Sequence, residues 1–501
     1  MTYKNSLPIT IIYFFLMLNS IYSTKAQEKR YKEQHRPQFH FSPSNNWCND
    51  PNGLVYSKGI YHLFYQYNPF GNVWGHMTWA HSTSKDLLHW KQLPDAIKEE
   101  DGIMAFSGSC VIDKFNSSSF GKDKNLPMVA VYTAHRENVN QSQALAYSLD
   151  NGFTWTKYKN NPVLDMHKKD FRDPKVSWYA KKQYWVMAVM MPKEHIVQFY
   201  NSTDLKSWKH LSDFGPAGDT AAVWECPDLT EVSIENSKQK KWVLQTSQNA
   251  GMQYFIGDFD GTTFKNQTEP GILRPDYGSD YYAAVSYNNL PINAQPISIG
   301  WLNNWNYANE IPTTPWKGAM SLPRNYHLKR MAGNLLLVQQ PIDAVKSLRY
   351  DLNKIADISV THSSKLPVNG DQFEIKFSVE PGASSAAGVR LALGGKEFFE
   401  VGYDNKTGKV YTDRTHSSES FKNKNFQQIN RSEQAVTPKQ KKILFDIFYD
   451  HSVIEVFVNG GEMVFTCQIF PEEGHDGIEF FSQDRRSLFS DISFWKMRSV
   501  W

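Results

Sequence analysis

The sequence predicts an all-β protein in two parts, a five-bladed β-propeller followed by a C-terminal β-sandwich. Three observations predict it. A particular turn recurs through the first two thirds of the chain. Short aromatic-rich runs lie between its copies. After about residue 345 the repeat stops, while strand-like alternation continues.

The turn is Ser84-Lys85-Asp86-Leu87-Leu88-His89-Trp90. It returns as Ser202-Thr203-Asp204-Leu205-Lys206-Ser207-Trp208, more loosely around Ser148, Asp150 and Trp155, and weakly around Asp258, Asp260 and Phe264. The aromatic ends at 90, 155, 208 and 264 stand 65, 53 and 56 residues apart, and a steady period marks a repeat architecture. Residues 60–67, 127–133, 184–189 and 241–246 are β-branched and aromatic, as strands are. Four strands in roughly 55–65 residues make one propeller blade with generous loops. Residues 36 to 340 have room for five such blades. A sandwich throughout would not require the recurring turn. Beyond it, residues 372–379, 388–393, 443–449, 453–459 and 463–469 alternate between Gly, Asn and Asp breaks, the pattern of an antiparallel sandwich. The expected division is a signal peptide over 1–26, the propeller over 30–340, a linker over 341–350 and the sandwich over 351–501.

Composition excludes several classes. A net charge of +3 in 501 residues gives no electrostatic footprint for nucleic acid. The basic cluster at 439–442 reads as a solvated loop. The N-terminus has Lys4, an apolar run over 7–18 and Ser23-Thr24-Lys25-Ala26, which reads as a signal peptide cleaved near Ala26. The run is shorter than the ~20 residues of a membrane span. The mature chain is therefore expected to be exported, periplasmic or secreted, with no membrane span. The four cysteines, Cys48, Cys110, Cys226 and Cys467, suggest no disulfide framework. With scattered histidines and neither C-x-x-C nor H-E-x-x-H, no metal or other cofactor is expected.

The chemistry lies in three carboxylates. Asn49-Asp50-Pro51-Asn52-Gly53 reads as turn chemistry, because Pro presets one backbone angle, Gly tolerates positive φ, and Asn and Asp bond nearby backbone. Asp173-Pro174 repeats the Asp-Pro pair, and Glu225-Cys226-Pro227 is a third acid near a proline. The acids stand 123 and 52 residues apart, about two blades and one blade. Equivalent positions in a propeller converge on the central channel. Acids gathered at one mouth repel and raise one another's pKa, so their convergence needs a reason. Glycoside hydrolysis supplies one. A nucleophile and an acid flank the scissile bond, about 5–5.5 Å apart in retaining enzymes, and a third carboxylate favours the developing cation.

Several blocks together carry a resemblance. They are Trp47-Cys48-Asn49-Asp50-Pro51-Asn52-Gly53, Tyr65-Gln66-Tyr67-Asn68-Pro69, Trp74-Gly75-His76, Phe106-Ser107-Gly108-Ser109, Arg172-Asp173-Pro174, Glu225-Cys226-Pro227-Asp228, Asp276-Tyr277-Gly278-Ser279-Asp280-Tyr281-Tyr282-Ala283 and Gly300-Trp301-Leu302-Asn303-Asn304-Trp305. In this order the chain resembles glycoside hydrolase family 32, the β-fructosidases, over essentially its whole mature length. The resemblance implies the same propeller and sandwich, and release of fructose from levan, inulin or sucrose-type β-fructofuranosides. By motif, Asp50 matches the nucleophile, Asp173 the transition-state stabiliser and Glu225 the acid/base. Asn49, Gln66, Trp74, Phe106, Ser107, Arg172, Tyr282 and Trp305 match positions lining the family's fructose pocket. Arg172 is read as a fork on fructose hydroxyls that also keeps Asp173 ionised, and Cys48 and Cys226 as packing thiols. Trp47-Cys48 departs from the family, where Met or Leu commonly precedes the Asn-Asp. The run 304–312 looks like polymer-active levanases and exo-inulinases, which points to exo action. The alternatives are an endo-levanase, a fructosyltransferase and a non-catalytic fructan-binding propeller, the last disfavoured because all three acids are present.

Overall fold

The computed structural model describes residues 31–122, 125–248, 251–269, 271–436 and 440–501; the expected signal peptide lies outside them. Five antiparallel sheets form the blades. Their innermost strands are Asn46–Ser57, Ile103–Ile112, Arg172–Tyr179, Trp224–Ser233 and Tyr282–Ser286. Each blade runs outward through further strands, as in Arg172–Tyr179, Tyr184–Met191, Ile196–Ser202 and Lys209–Phe214 of the third. The ring closes where Trp316–Lys317 pairs in parallel with the start of the first inner strand, and where Asn288 N donates to Leu54 O at 2.9 Å.

Alternation explains the stacking. In Tyr184–Met191, Trp185, Met187 and Val189 pack with Val129, Val131 and Leu145 of the second blade. The intervening Val186, Ala188 and Met190 pack with Trp224, Leu244 and Phe255 of the fourth. Both faces of the strand are thus buried, at roughly 25 cal/mol for each Å² of apolar surface removed from water. The recurring turn joins the third and fourth strands of four blades. Asp86 Oδ1 accepts from Ser84 Oγ and the N–H groups of Leu88 and His89. Asp204 repeats this with Ser202, Lys206 and Ser207. Asp150 caps the second blade and Asp260 the fourth.

The C-terminal part is a sandwich of two antiparallel sheets. One contains Gln372–Glu380, Ile443–Asp450, Val453–Val458 and Met463–Gln468; the other contains Ala386–Gly394, Glu397–Asp404 and Lys409–Asp413. Phe377, Val389, Val401, Phe445 and Phe480 belong to the core between them. The expected linker holds a 3-10 helix, Asp343–Leu348, and the first residues of the sandwich strand Arg349–Ile355.

The two parts share a buried ionic seam. Arg324 bridges Asp276 (2.9 Å) and Glu455 (2.7 Å), and His40 bridges Asp450 (2.8 Å) and Glu455 (3.2 Å). Arg414 reaches Asp280 at 3.0 Å and the Tyr307 hydroxyl at 2.9 Å. Asp276 and Asp280 of the Asp276-to-Ala283 motif therefore join the two parts rather than the pocket. The segment between them lies on strand Met463–Gln468. A Cβ on Gly278 would stand 2.1–2.2 Å from Thr466 backbone atoms, so only glycine permits that approach.

Candidate active site

All five inner strands break register at the same end. The shifts fall between Cys48 and Pro51, Phe106 and Gly108, Arg172 and Lys175, Glu225 and Asp228, and Tyr282 and Val285. Such bulges re-aim side chains near active sites. Pro174 and Pro227 lie inside two of them and Pro51 bounds a third, positions where a residue without an N–H is tolerated. Asp173 and Cys226 adopt positive φ, 65° and 48°. The expected turn at residues 49–53 is corrected here. Asn46–Ser57 is one continuous strand with two register shifts. Gly53, at φ 55°, belongs to the second, and a Cβ there would meet Phe64 and Trp79 below 3 Å.

The bulges aim Asp50, Asp173 and Glu225 into one cavity of about 410 Å³, a size usual for small-ligand clefts. Asn49, Gln66, Trp74, Phe106, Ser107, Arg172 and Trp305 also line it. Tyr282 does not; it stands behind Glu225, and its hydroxyl donates to Glu225 Oε2. Met77, His135 and Gln141 line the cavity too, although no motif singled them out. A cleft of about 430 Å³ on the sandwich, at Arg390 and Glu400, is no smaller. Its charges are already matched, with Arg390 bridging Glu400 and Glu479.

Asp50 is held at both oxygens. Oδ1 accepts from Asn49 Nδ2 at 2.9 Å and Oδ2 from Ser107 Oγ at 2.7 Å. Trp47 Nε1 donates to Asn49 Oδ1 at 2.7 Å, which turns the Asn49 amide so that its N–H faces Asp50. Trp47 thus does more than pack. Burial pushes the Asp50 carboxyl above its ordinary range; its two donors pull against this and the Glu225 charge adds to it. Asp173 Oδ2 accepts the Cys226 N–H at 2.9 Å. Burial pushes this carboxyl up to about 7, with Arg172 opposing and Glu225 and Asp50 reinforcing.

Two readings are corrected. The Arg172 charge does favour the Asp173 carboxylate, but burial outweighs it, and Arg172 directs its hydrogen bonds elsewhere. Its Nε and Nη2 both donate to Glu225 Oε1, at 3.1 and 2.9 Å, while Nε stands 4.0 Å from Asp173. Cys226 is buried as expected, but it is more than packing. Its Sγ lies 3.5 Å from Asp50 Oδ2 and 3.7 Å from Asp173 Oδ2, a weak donor between two acids. Sequence reasoning missed it because an S–H donor has no spacing signature.

One pleat further along the inner strands the channel is filled. Lys175 Nζ lies 2.7 Å from Asp228 Oδ1 and donates to Ser286 Oγ at 3.0 Å, tying three blades together. At the mouth Trp74 is 41 % exposed, and its N–H donates to Asn309 Oδ1 at 2.9 Å. The turn carrying Asn309 is held from the sandwich, where Asn425 Nδ2 donates to Asn306 O at 2.7 Å. Among the described residues no group of three or more His, Cys, Asp or Glu could hold a metal ion.

Comparison with known proteins agrees with this site. Residues 40–341 match the Glycosyl hydrolases family 32 N-terminal domain, and residues 344–496 the Glycosyl hydrolases family 32 C terminal domain. The chain is 41 % identical to a levanase of Bacillus subtilis, over 99 % of this chain and 76 % of that one. It is 37 % identical to an extracellular exo-inulinase of Aspergillus awamori, over 94 % of this chain and 96 % of that one. The crystal structure of exo-inulinase from Aspergillus awamori superposes with a TM-score of 0.89, at 36 % identity over 94 % of this chain and 100 % of that one. A β-fructofuranosidase from Schwanniomyces occidentalis complexed with fructosyl-erythritol gives 0.84, at 30 % identity over 94 % and 99 %. Three carboxyls from three blades, set in a propeller that is sealed to a sandwich and matched along both parts, place this chain in glycosyl hydrolase family 32.

Proposed function

We propose that the protein hydrolyses β-D-fructofuranosides of the levan, inulin or sucrose type, releasing terminal fructose with retained configuration. The observation that carries this is the convergence of Asp50, Asp173 and Glu225 on one cavity beside a single guanidinium. Asp50 is the nucleophile. Its two donors fix the orientation from which it attacks the anomeric C2, and a pre-set geometry lowers the barrier. Glu225 is the acid that protonates the leaving oxygen, then the base that activates water. Burial, with the charges of Glu225 and Asp50 added, pushes the neighbouring Asp173 carboxyl up. Asp173 and Arg172 meet the sugar hydroxyls, and Asp173 favours the cationic transition state as it ionises.

Exo action is supported by the channel filling at Lys175 and Asp228, which closes the floor of the pocket. A closed floor takes a chain end. The names of the relatives, levanase and exo-inulinase, support a fructan substrate. Export after cleavage near Ala26 is supported by the apolar leader and by a relative named as extracellular; N-terminal sequencing of the mature protein tests it. The functional test is product analysis on levan, inulin and sucrose, with the first anomer read by NMR. Fructose alone, first formed as the β-anomer, is expected. Oligosaccharides would mean endo action, and an inverted anomer would refute the nucleophile. A folded Asp50→Asn variant should retain less than about 10⁻³ of the rate, the scale on which loss of a covalent nucleophile acts.

A further inference from the structure

Gln141 ties three groups together. Its Oε1 accepts the Phe171 N–H at 2.9 Å and Arg172 Nη1 at 3.2 Å. Both partners can only donate, so the orientation of the amide is fixed. Its Nε2 then faces His135 Nδ1 at 3.2 Å, and that ring nitrogen has to accept. His135 is thereby the neutral tautomer carrying its proton on Nε2. Its ring lies flat on Phe106, centroids 4.2 Å apart at 10°, and both rings line the cavity. The chain of contacts runs from His135 through Gln141 and Arg172 to Glu225.

We propose that His135 is a positioning residue: as a neutral acceptor it fixes the Gln141 amide, and through it Arg172 against Glu225, and protonation of His135 breaks that chain. The proposal rests on the active-site reading above. A protonated ring would set an Nδ1–H against the Gln141 amide N–H. If the amide turned over, its N–H would face the Phe171 N–H and Arg172 instead. Gln141 is only 3 % exposed, so water cannot readily replace the lost partner. The charged groups around the ring are Arg172 from the third blade, Asp170 from the loop before it, and Glu137 from its own hairpin. Burial first, then Arg172, hold the imidazole below the ordinary histidine value, against Glu137 and Asp170. The chain is therefore intact at neutral pH and opens on the acid side.

The test compares kcat/KM on sucrose from pH 4 to 8 for the full chain and two variants, H135N and H135F. Asn places an amide oxygen near the position of Nδ1 and does not titrate. Phe keeps the stack on Phe106 and removes the acceptor. Thermal melts establish that each variant is folded. At pH 8 H135N is expected to retain more of the wild-type kcat/KM than H135F, and the ratio of wild type to H135N should fall about tenfold toward pH 4, the scale of one buried hydrogen bond. Titrations of Asp50 and Asp173 are common to both proteins and cancel in that ratio. H135F should be about tenfold slower than wild type at pH 8. A pH-independent ratio, or an H135F variant as active as wild type, overturns the proposal and leaves the fructosidase reading intact. Calorimetric binding of fructose by the same proteins gives a readout without turnover, and a flat ratio there counts equally against it. A wild type that neither hydrolyses sucrose nor binds fructose overturns both.

Discussion

His40 makes the stability of the seam depend on pH in an unusual direction. The ring has no exposed surface, and its two nitrogens face Asp450 Oδ2 at 2.8 Å and Glu455 Oε1 at 3.2 Å. Both nitrogens must donate, so the ring is an imidazolium. Burial alone would lower its pKa. The hydrogen bonds and charges of Asp450 and Glu455 outweigh burial and raise it from 6.5 to about 9. A folded-state value above the unfolded one gives stability that is fully present below about 6.5 and is lost as pH rises through about 9. At 1.36 kcal/mol per unit the span corresponds to about 3 kcal/mol. Glu455 works in the opposite direction. Burial would raise its carboxyl, but Arg324 and His40 hold it below 4.5, so its contribution is lost on acidification.

The assay is urea unfolding of wild type and His40→Gln at pH 6, 8 and 10, read on the transition in which propeller and sandwich separate. The glutamine cannot become charged, so the variant lacks the imidazolium throughout. The stability difference between the two proteins should shrink by about 3 kcal/mol from pH 6 to pH 10. If the proteins unfold in one transition, that is roughly 3 °C in Tm for a chain of this size. A difference constant across that range would refute the assignment of the proton to His40.

Other consequences follow from single contacts. Lys175→Met should cost about 3–5 kcal/mol in chemical denaturation, because it leaves Asp228 buried and unpaired in the channel; a loss below 1 kcal/mol would mean that the channel takes up water there. Glu225→Gln should slow sucrose hydrolysis by at least about 10²-fold, yet a fructoside with a phenolate leaving group should still build up fructosyl-enzyme, visible by mass spectrometry. Cys226→Ala removes a weak donor from Asp50 and Asp173. Both carboxyls should then protonate more readily, and the acid limb of kcat/KM should move upward by a few tenths of a pH unit; a downward shift would contradict the donor role.

What was legible in the sequence is what short-range chemistry writes there. The Ser84-Lys85-Asp86 turn could be read because its hydrogen bonds close within three residues, as from Leu87 N to Ser84 Oγ and from His89 N to Asp86 Oδ1. The acids could be read because a proline inside a strand has to sit at a bulge or an edge. Asn49 to Gly53 reads as a turn for the same reason, since bulge and turn use the same residues and only the flanking ladder decides between them. Long-range partners left no trace. Gln141 reaches Arg172 across 31 residues and His40 reaches Asp450 across 410. Asp276 and Asp280 read as part of the site motif, yet their partners are Arg324 and Arg414. Sequence shows Arg172 beside Asp173, whose charge it does feel, but not the approach of the fourth blade that gives its hydrogen bonds to Glu225.

The cluster proposed to serve the reaction weakens the fold, and Asp173 exposes the conflict. Its carboxyl is pushed up to about 7 by burial first, with Glu225 and Asp50 adding to it and Arg172 opposing. For an acid the sign is then unfavourable. Nothing is lost below the ordinary value near 3.8, and the folded state is increasingly penalised as pH rises toward about 7. Over that span the penalty reaches a few kcal/mol, which packing between blades has to offset. Asp173→Asn keeps the shape and an oxygen to accept the Cys226 N–H, and it removes the charge. The variant should therefore be more stable than wild type by a few kcal/mol at pH 8 and by much less at pH 4, while fructoside hydrolysis falls by at least about 10²-fold. Unfolding at the two pH values measures the first effect and sucrose turnover the second. A variant less stable than wild type at pH 8 would show that Asp173 is anchored by Arg172 more strongly than repelled by Asp50 and Glu225. The site would then be a stabilising ion cluster, and its acids would not need a reaction to explain them.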